Sequence, residues 1–194
     1  MSRLKDMNVV TLLTASEAPL TASGTFLFTD IVGSTAMAEA VGDERWARVL
    51  RAHNAIIRAA MQLHNGEECA FLGDGFLVLF ADAQDALACA MAIQEAFSTF
   101  TTTFPDAPLT VRMGLHCGTA CREGRDVFGR TVHLASRVAG AADGGEILLS
   151  ACARERLEHA LPRFTRQREV ALKGVEGKHT VFSVRPLRSA VAIA

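Results

Sequence analysis

The stretch Ala70–Phe80, "AFLGDGFLVLF", decides how this chain is read. An apolar run stops at Gly73-Asp74-Gly75 and then resumes. Two short apolar segments around such a turn signal a β-hairpin. Packing gives no reason for a carboxylate at the tip of a buried hairpin, so Asp74 calls for a chemical one.

Working outward, "TFLF" from Thr25 reads as a buried strand, and "DIVGST" as a turn that opens a helix. Trp46, Val49, Leu50, His53, Ile56, Ile57, Ala60 and Met61 recur at steps of three and four, the apolar face of a helix over 43–64. Asn65-Gly66 ends it. Past the hairpin, Ala83, Ala86, Leu87, Ala90, Ile93, Phe97 and Phe100 mark a second helix, from Asp82 to Phe100. "LTVRMGLHCGTACR" gives one or two strands broken by glycines. "DVFGRTVHLASRVAGAA" is a loop and a helix, "GEILLS" a strand, "ACARERLEHA" a short helix. "FTRQREVALKGVEGKHTVFSV" reads as two strands around a turn. The order is βαββαβ followed by αβαββ. This predicts an α+β, ferredoxin-like core with a mixed sheet, and argues against a doubly wound parallel sheet. The expected division is an N-terminal arm at 1–23, one domain at 24–186 and a tail at 187–194. Within the arm, "VVTLL" (9–13) is a short strand or an extended piece, and "TASEAPLTASG" (14–24) reads as a linker.

The totals bound the function. The chain has 194 residues, 49% of them hydrophobic, with a formal net charge of −1. That is enough for a real core, and nothing is basic enough to advertise nucleic acid or a membrane surface. There is no signal-peptide pattern, and no apolar run approaches the roughly 20 residues of a spanning helix, so a soluble, cytoplasmic protein is expected. Cys69, Cys89, Cys117, Cys121 and Cys152 are odd in number and mostly in apolar segments, as free thiols in a reducing compartment would be. His116, Cys117 and Cys121 lack a second pair at ligand spacing, so zinc is not expected.

Asp30 ends the first strand, and in a βαββ unit that strand lies beside the hairpin. Asp30 and Asp74 can therefore share one edge of the sheet. An aspartate before a helix is commonly an N-cap, and Gly-Asp-Gly is commonly a plain turn. Together on apolar strands they read differently: two facing carboxylates repel unless metal ions bridge them, and a pair of Mg²⁺ ions suits phosphoryl chemistry. The helix opened by "IVGST" offers free N–H groups and a positive dipole end to a phosphate.

Five blocks, "FTDIVGST", "FLGDGF", "VRMGLHCGTA", "DVFGRTVHLASR" and "LKG", follow one another over residues 24–185 in a way that resembles the catalytic domain of the class III nucleotide cyclases, the adenylate and guanylate cyclases. The resemblance implies a metal-dependent reaction with two Mg²⁺ or Mn²⁺ ions per site. The ribose 3′-hydroxyl of a nucleoside triphosphate attacks its own α-phosphate, giving a 3′,5′-cyclic monophosphate and pyrophosphate. Asp30 and Asp74 match the metal-binding aspartates, and Ile31 the residue that offers a backbone carbonyl. Val32, Gly33, Ser34 and Thr35 match the turn that cradles the triphosphate. Arg137 matches the arginine that steadies the transition-state phosphate, Lys173 a lysine on the terminal phosphates, and Asp126 a base contact. The resemblance also implies a head-to-tail homodimer with each site at the interface.

Two positions depart from the family. Ala70, followed by Phe71, stands where adenylate cyclases carry a base-reading lysine and guanylate cyclases tend to carry a glutamate. His133 stands where an asparagine positions the ribose, and it can supply part of that hydrogen bonding. An apolar wall of Ala70 and Phe71 stacks a base without reading a purine edge. This favours UTP or CTP, as in soluble bacterial members that make cyclic UMP or cyclic CMP as phage-defence signals. An adenylate or guanylate cyclase with an unusual base site is the alternative, and a nucleotide-binding module without turnover is another. A diguanylate cyclase shares the βαββ metal logic, but "LGDGF" does not match its Gly-Gly-Asp/Glu-Glu-Phe hairpin.

Overall fold

A computed structural model describes residues 20–157 and 164–184. The residues before 20, part of "ACARERLEHA" and the tail at 187–194 lie outside the described residues, and with them "VVTLL" and most of the expected arm.

The elements run β1 (Leu20–Ile31), α1 (Ser34–Val41), α2 (Asp43–Leu63), β2 (Glu67–Phe71), β3 (Phe76–Phe80), α3 (Ala83–Thr103), β4 (Val111–Glu123), β5 (Asp126–Phe128), α4 (Arg130–Gly140), β6 (Ile147–Ser150), α5 (Ala151–Glu155), β7 (Phe164–Ala171) and β8 (Lys178–Val184). The described strands form one eight-stranded sheet in the order β2-β3-β1-β4-β6-β8-β7, with β5 paired to β4. Neighbours in the β2-β3-β1-β4 part are all antiparallel, as a βαββαβ core requires, and the β4–β6 pair is parallel, which makes the sheet mixed.

The linker reading of 14–24 fails at its end. Leu20 to Gly24 are strand, paired with Arg122 to Gly118 of β4. "LTASG" is polar enough to look like a connection, but Leu20, Thr21 and Ser23 are exposed while Ala22 and Gly24 are buried, the alternation of a strand with one wet face. "LTVRMGLHCGTACR" resolves to a single long strand.

Strand alternation sorts the core into two layers. Leu27, Val78, Met113, Leu115 and Leu149 face one side, where Val49 and Ile57 of α2 and Ala90, Ile93 and Phe97 of α3 cover them, with Ala153 of α5 beside them. Phe26, Leu77 and Leu79 face the other side, towards Ala135 of α4, and Leu148 packs there with Val138. Each of these fully buried large side chains contributes about 1.5–3 kcal/mol. Helix α4 lies close to the sheet because β4 has a glycine beneath it. A Cβ at Gly114 would stand 2.2 Å from the Ala139 nitrogen.

Candidate active site

Two turns meet at one end of β1. Thr29 pairs with Phe76 across β1–β3, and the Phe76 N–H donates to Thr29 Oγ1 at 3.0 Å. The Leu72 N–H closes the hairpin on the Gly75 carbonyl at 2.9 Å. Gly75 presses on the end of β1, where a Cβ would lie 2.2 Å from the Thr29 carbonyl oxygen. The neighbour is backbone, so no rotamer change relieves the clash. Gly75→Ala is expected to cost about 1–3 kcal/mol of stability and to carry Asp74 away from β1, seen as a lower melting temperature in calorimetry.

Asp30 and Asp74, both half-buried, line one cavity of about 270 Å³. Arg112 and Arg137 line it too. Arg112 stands opposite Asp30 in the β1–β4 register. It holds the Asp30 carboxylate by two bonds to Oδ2, Nε at 2.7 Å and Nη2 at 2.5 Å. The sequence reading missed Arg112, although "VRMGLHCG" carries a signal: an arginine inside an otherwise apolar strand needs a buried partner.

The triphosphate turn is partly as expected. Gly33 caps α1 in the left-handed region at φ 71°, with no side-chain cap on the helix. Ser34 and Thr35 open its first turn, whose amides carry no cap. The Val32 N–H, however, donates to the Thr110 carbonyl at 2.9 Å, so it is not among the free donors. Ile31 is buried at the end of β1.

The apolar wall of Ala70 and Phe71 is not built as expected. Ala70 packs with Phe26 and Leu77 on the α4 side of the sheet. Phe71 packs tilted against Phe76, 4.9 Å between centroids at 43°, and the Arg58 guanidinium lies 5.6 Å from its ring, on the α2 side. Successive strand residues point to opposite faces, which separates the two. Arg58 is itself held by Glu68 through two bonds at 2.9 Å, and this lowers the Glu68 carboxyl from its ordinary range.

His133 and Arg137 lie one turn apart on the exposed face of α4. With Arg130, Leu134 and the β7–β8 turn at Gly174–Glu176 they line a second cavity, of about 500 Å³. Arg137 thus borders both cavities. Asp126, exposed on β5, and Lys173, exposed at the β7–β8 turn, line neither of these two. In a single chain the predicted residues therefore do not all meet: Asp30 and Asp74 line one cavity, His133 the other, and Arg137 both.

The family model for the adenylate and guanylate cyclase catalytic domain matches residues 17–185. The adenylate cyclase of Lachancea kluyveri is 33% identical over 157 residues, 69% of this chain and 8% of that protein. A putative adenylate cyclase 3 of Rhizobium meliloti is 29% identical over 125 residues, 64% of this chain and 21% of that protein. The chain therefore spans only a small part of these curated relatives. The crystal structure of the guanylyl cyclase Cya2 superposes with a TM-score of 0.76 at 26% identity, covering 90% of this chain and 97% of that one. The adenylyl cyclase CyaB from P. aeruginosa shares the fold at TM-score 0.76 and 23% identity, with 88% and 98% covered. Family model and fold place the chain among the class III nucleotide cyclase catalytic domains. The chain belongs to the family of adenylate and guanylate cyclase catalytic domains.

Proposed function

We propose that this chain converts a nucleoside triphosphate to its 3′,5′-cyclic monophosphate and pyrophosphate, at a site completed by a second copy of itself. The observation that carries the reading is the meeting of Asp30, Asp74 and Arg112 around one cavity. The ribose O3′ bonds to the α-phosphorus, the bond to the β-phosphate oxygen breaks, and the 3′-hydroxyl proton passes to water.

Two carboxylates and the Ile31 carbonyl are an all-oxygen donor set, which suits a hard cation such as Mg²⁺ or Mn²⁺. Such ions acidify the 3′-hydroxyl and offset phosphate charge when bound. The charges agree with two of them. Two divalent ions match the roughly four negative charges of a triphosphate. Arg112 holds Asp30 in place until the ions bind. With Asp30 and Asp74 holding the cations, Arg112 would be released from Asp30 and would offer its planar fork to phosphate oxygens. The uncapped first turn of α1, at Ser34 and Thr35, receives a further phosphate. Arg137 spreads its charge over the transferring phosphate, His133 bonds the ribose, and Lys173 takes the terminal phosphates. Asp126, His133, Lys173 and Arg137 come from the second copy: the resemblance puts the arginine and base-side residues on the subunit opposite the aspartates, and the first three also stand away from the aspartate cavity of their own chain.

A pyrimidine base is favoured slightly, because Ala70 offers no hydrogen bond to a purine edge. With Phe71 turned to the other face, Ala70 alone carries that argument. ATP is the second reading, supported by relatives that are named adenylate cyclases and by Asp126, an acceptor for an exocyclic amine. Ala70→Lys is expected to raise the preference for ATP about tenfold, the worth of one charged hydrogen bond, in kcat/KM compared across four nucleotides. An unchanged preference places base reading elsewhere.

The test of the whole reading is direct. The purified protein is given ATP, GTP, CTP and UTP separately, with Mg²⁺ and then Mn²⁺, and products are identified by chromatography and mass spectrometry. One dominant cyclic monophosphate names the substrate. No product from any nucleotide, with the dimer shown to be intact, identifies a binding module without turnover.

A further inference from the structure

The chain carries a second cluster of reactive side chains that the nucleotide site does not use. Cys152 lies on α5, just past the end of β6, and is part-exposed. Its Sγ is 3.3 Å from His116 Nδ1, 3.2 Å from Ser150 Oγ and 3.4 Å from the Cys117 backbone nitrogen. The Cys117 carbonyl oxygen is 3.3 Å away, the one contact that does not favour an anion. His116 Nδ1 and Ser150 Oγ are 3.0 Å apart, so ring and hydroxyl hold each other beside the sulfur. The second thiol, Cys117, is buried on β4 and 3.1 Å from Thr25 Oγ1.

These contacts split the two thiols. A hydrogen bond from the Cys117 thiol pulls the Cys152 thiol far below its ordinary range, and His116, Ser150 and the Cys117 amide add to it. The same bond, with burial, pushes Cys117 up. The other buried cysteines contrast with Cys152: burial pushes Cys69 up to about 11 and Cys89 up to about 12, as befits small apolar side chains. Cys121 is part-exposed like Cys152, but no hydrogen bond reaches its sulfur among the described residues.

The backbone brings the pair together. Leu115 of β4 stands beside Leu149 of β6 in the parallel ladder, so His116 and Ser150 are the next positions on and Cys117 follows His116. Cys152 then turns back over the end of β6 onto the Cys117 backbone. Cys117 lies five residues from Arg112 along β4, roughly 17 Å at strand rise, and neither cysteine borders the two cavities described above.

We propose that Cys152 and Cys117, with His116 beside them, form a peroxide-reactive pair in which Cys152 is oxidised first and Cys117 then closes a disulfide tying α5 to β4. The Cys152 thiolate attacks one oxygen of hydrogen peroxide, the O–O bond breaks, and the departing hydroxide takes up a proton from His116 or solvent. This leaves a sulfenic acid and one water. The Cys117 sulfur then attacks the Cys152 sulfur, and the S–O bond breaks. The hydroxide leaves with the Cys117 proton as a second water. Two thiols and one peroxide become one disulfide and two waters. Cys117 is the resolving thiol because Cys152 rests on that residue, its Sγ 3.4 Å from the Cys117 nitrogen and 3.3 Å from the Cys117 carbonyl oxygen.

The test uses the full chain, reduced and desalted, with one equivalent of hydrogen peroxide. Intact mass is expected to fall by about 2 Da, the two hydrogens lost in forming a disulfide. A peptide map should show Cys117 joined to Cys152, with Cys69, Cys89 and Cys121 still open to alkylation after denaturation. Cys117→Ser should stop at a Cys152 sulfenic acid that dimedone captures. In the unmodified chain, iodoacetamide should label Cys152 at least about tenfold faster than Cys121. His116→Asn should slow Cys152 by a similar factor and leave Cys121 unchanged. Labelling of Cys121 at an equal or faster rate, or a peroxide product lacking the Cys117–Cys152 link, overturns the proposal. The rate comparison needs no variant, so a substitution that fails to fold does not shield it. None of these readouts depends on nucleotide turnover.

Discussion

Asp74→Ala is expected to fold and dimerise like the parent chain and to lose cyclase activity by at least about a thousandfold, the scale of removing a group that stabilises transition-state charge. The small structural cost follows from where Asp74 sits. It is half-exposed at a hairpin tip, outside all three core clusters. Removing a surface carboxylate away from such features shifts stability by no more than about 0.5 kcal/mol. The loss of turnover follows from charge. Without Asp74 the cavity holds one carboxylate, and Arg112 already occupies it. Circular dichroism and size-exclusion chromatography test the fold, and product formation with Mn²⁺ tests the chemistry. Full activity in this variant would remove Asp74 from the metal site.

Arg137→Ala should be as inactive on its own as Asp74→Ala, yet mixing the two should restore activity. If Arg137 serves the partner's aspartates, a mixed dimer has one intact site and one doubly damaged site. Random pairing makes half of the dimers mixed, so about a quarter of the parental activity returns in a two-fold symmetric assembly. The experiment discriminates because Arg137 borders the aspartate cavity of its own chain as well as the α4 cavity. If it acted within its own chain, every mixed dimer would carry two broken sites. Mixing would then restore nothing, and the proposed sharing of sites between subunits would fall.

Much of the fold was legible because its signals are local. The 3.6-residue spacing from Trp46 to Met61 predicts a helix over 43–64, and α2 runs Asp43–Leu63. Asp82 starts the second helix as predicted, its side chain accepting from the Gln84 N–H at 2.7 Å. The Gly-Asp-Gly turn could be read because Gly75 answers a steric demand, and Asp74 stands out against apolar neighbours. Polar strand residues such as Thr21 and Ser23 were not legible as strand. Their partners, Cys121 and Thr119, lie about a hundred positions along the chain.

By itself the sequence determined the βαββαβ core and its extension, apart from α1 and β5, which it reads as turn and loop, together with the mixed α+β sheet and the placing of Asp30 and Asp74 at one end of β1. Periodicity, caps and turn chemistry are properties of neighbouring residues and need no knowledge of distant ones. Only the tertiary structure decided that Arg112 faces Asp30, that the Val32 amide is taken by Thr110, that Phe71 turns away from Ala70, and that Cys152 rests on Cys117 and His116. Each depends on strand register, or on how chain segments far apart in sequence pack together. A one-residue slip in register turns every side chain of a strand to the opposite face. Spacing along one strand does not encode which residue stands across from it; that is settled when both layers of the core close on the sheet.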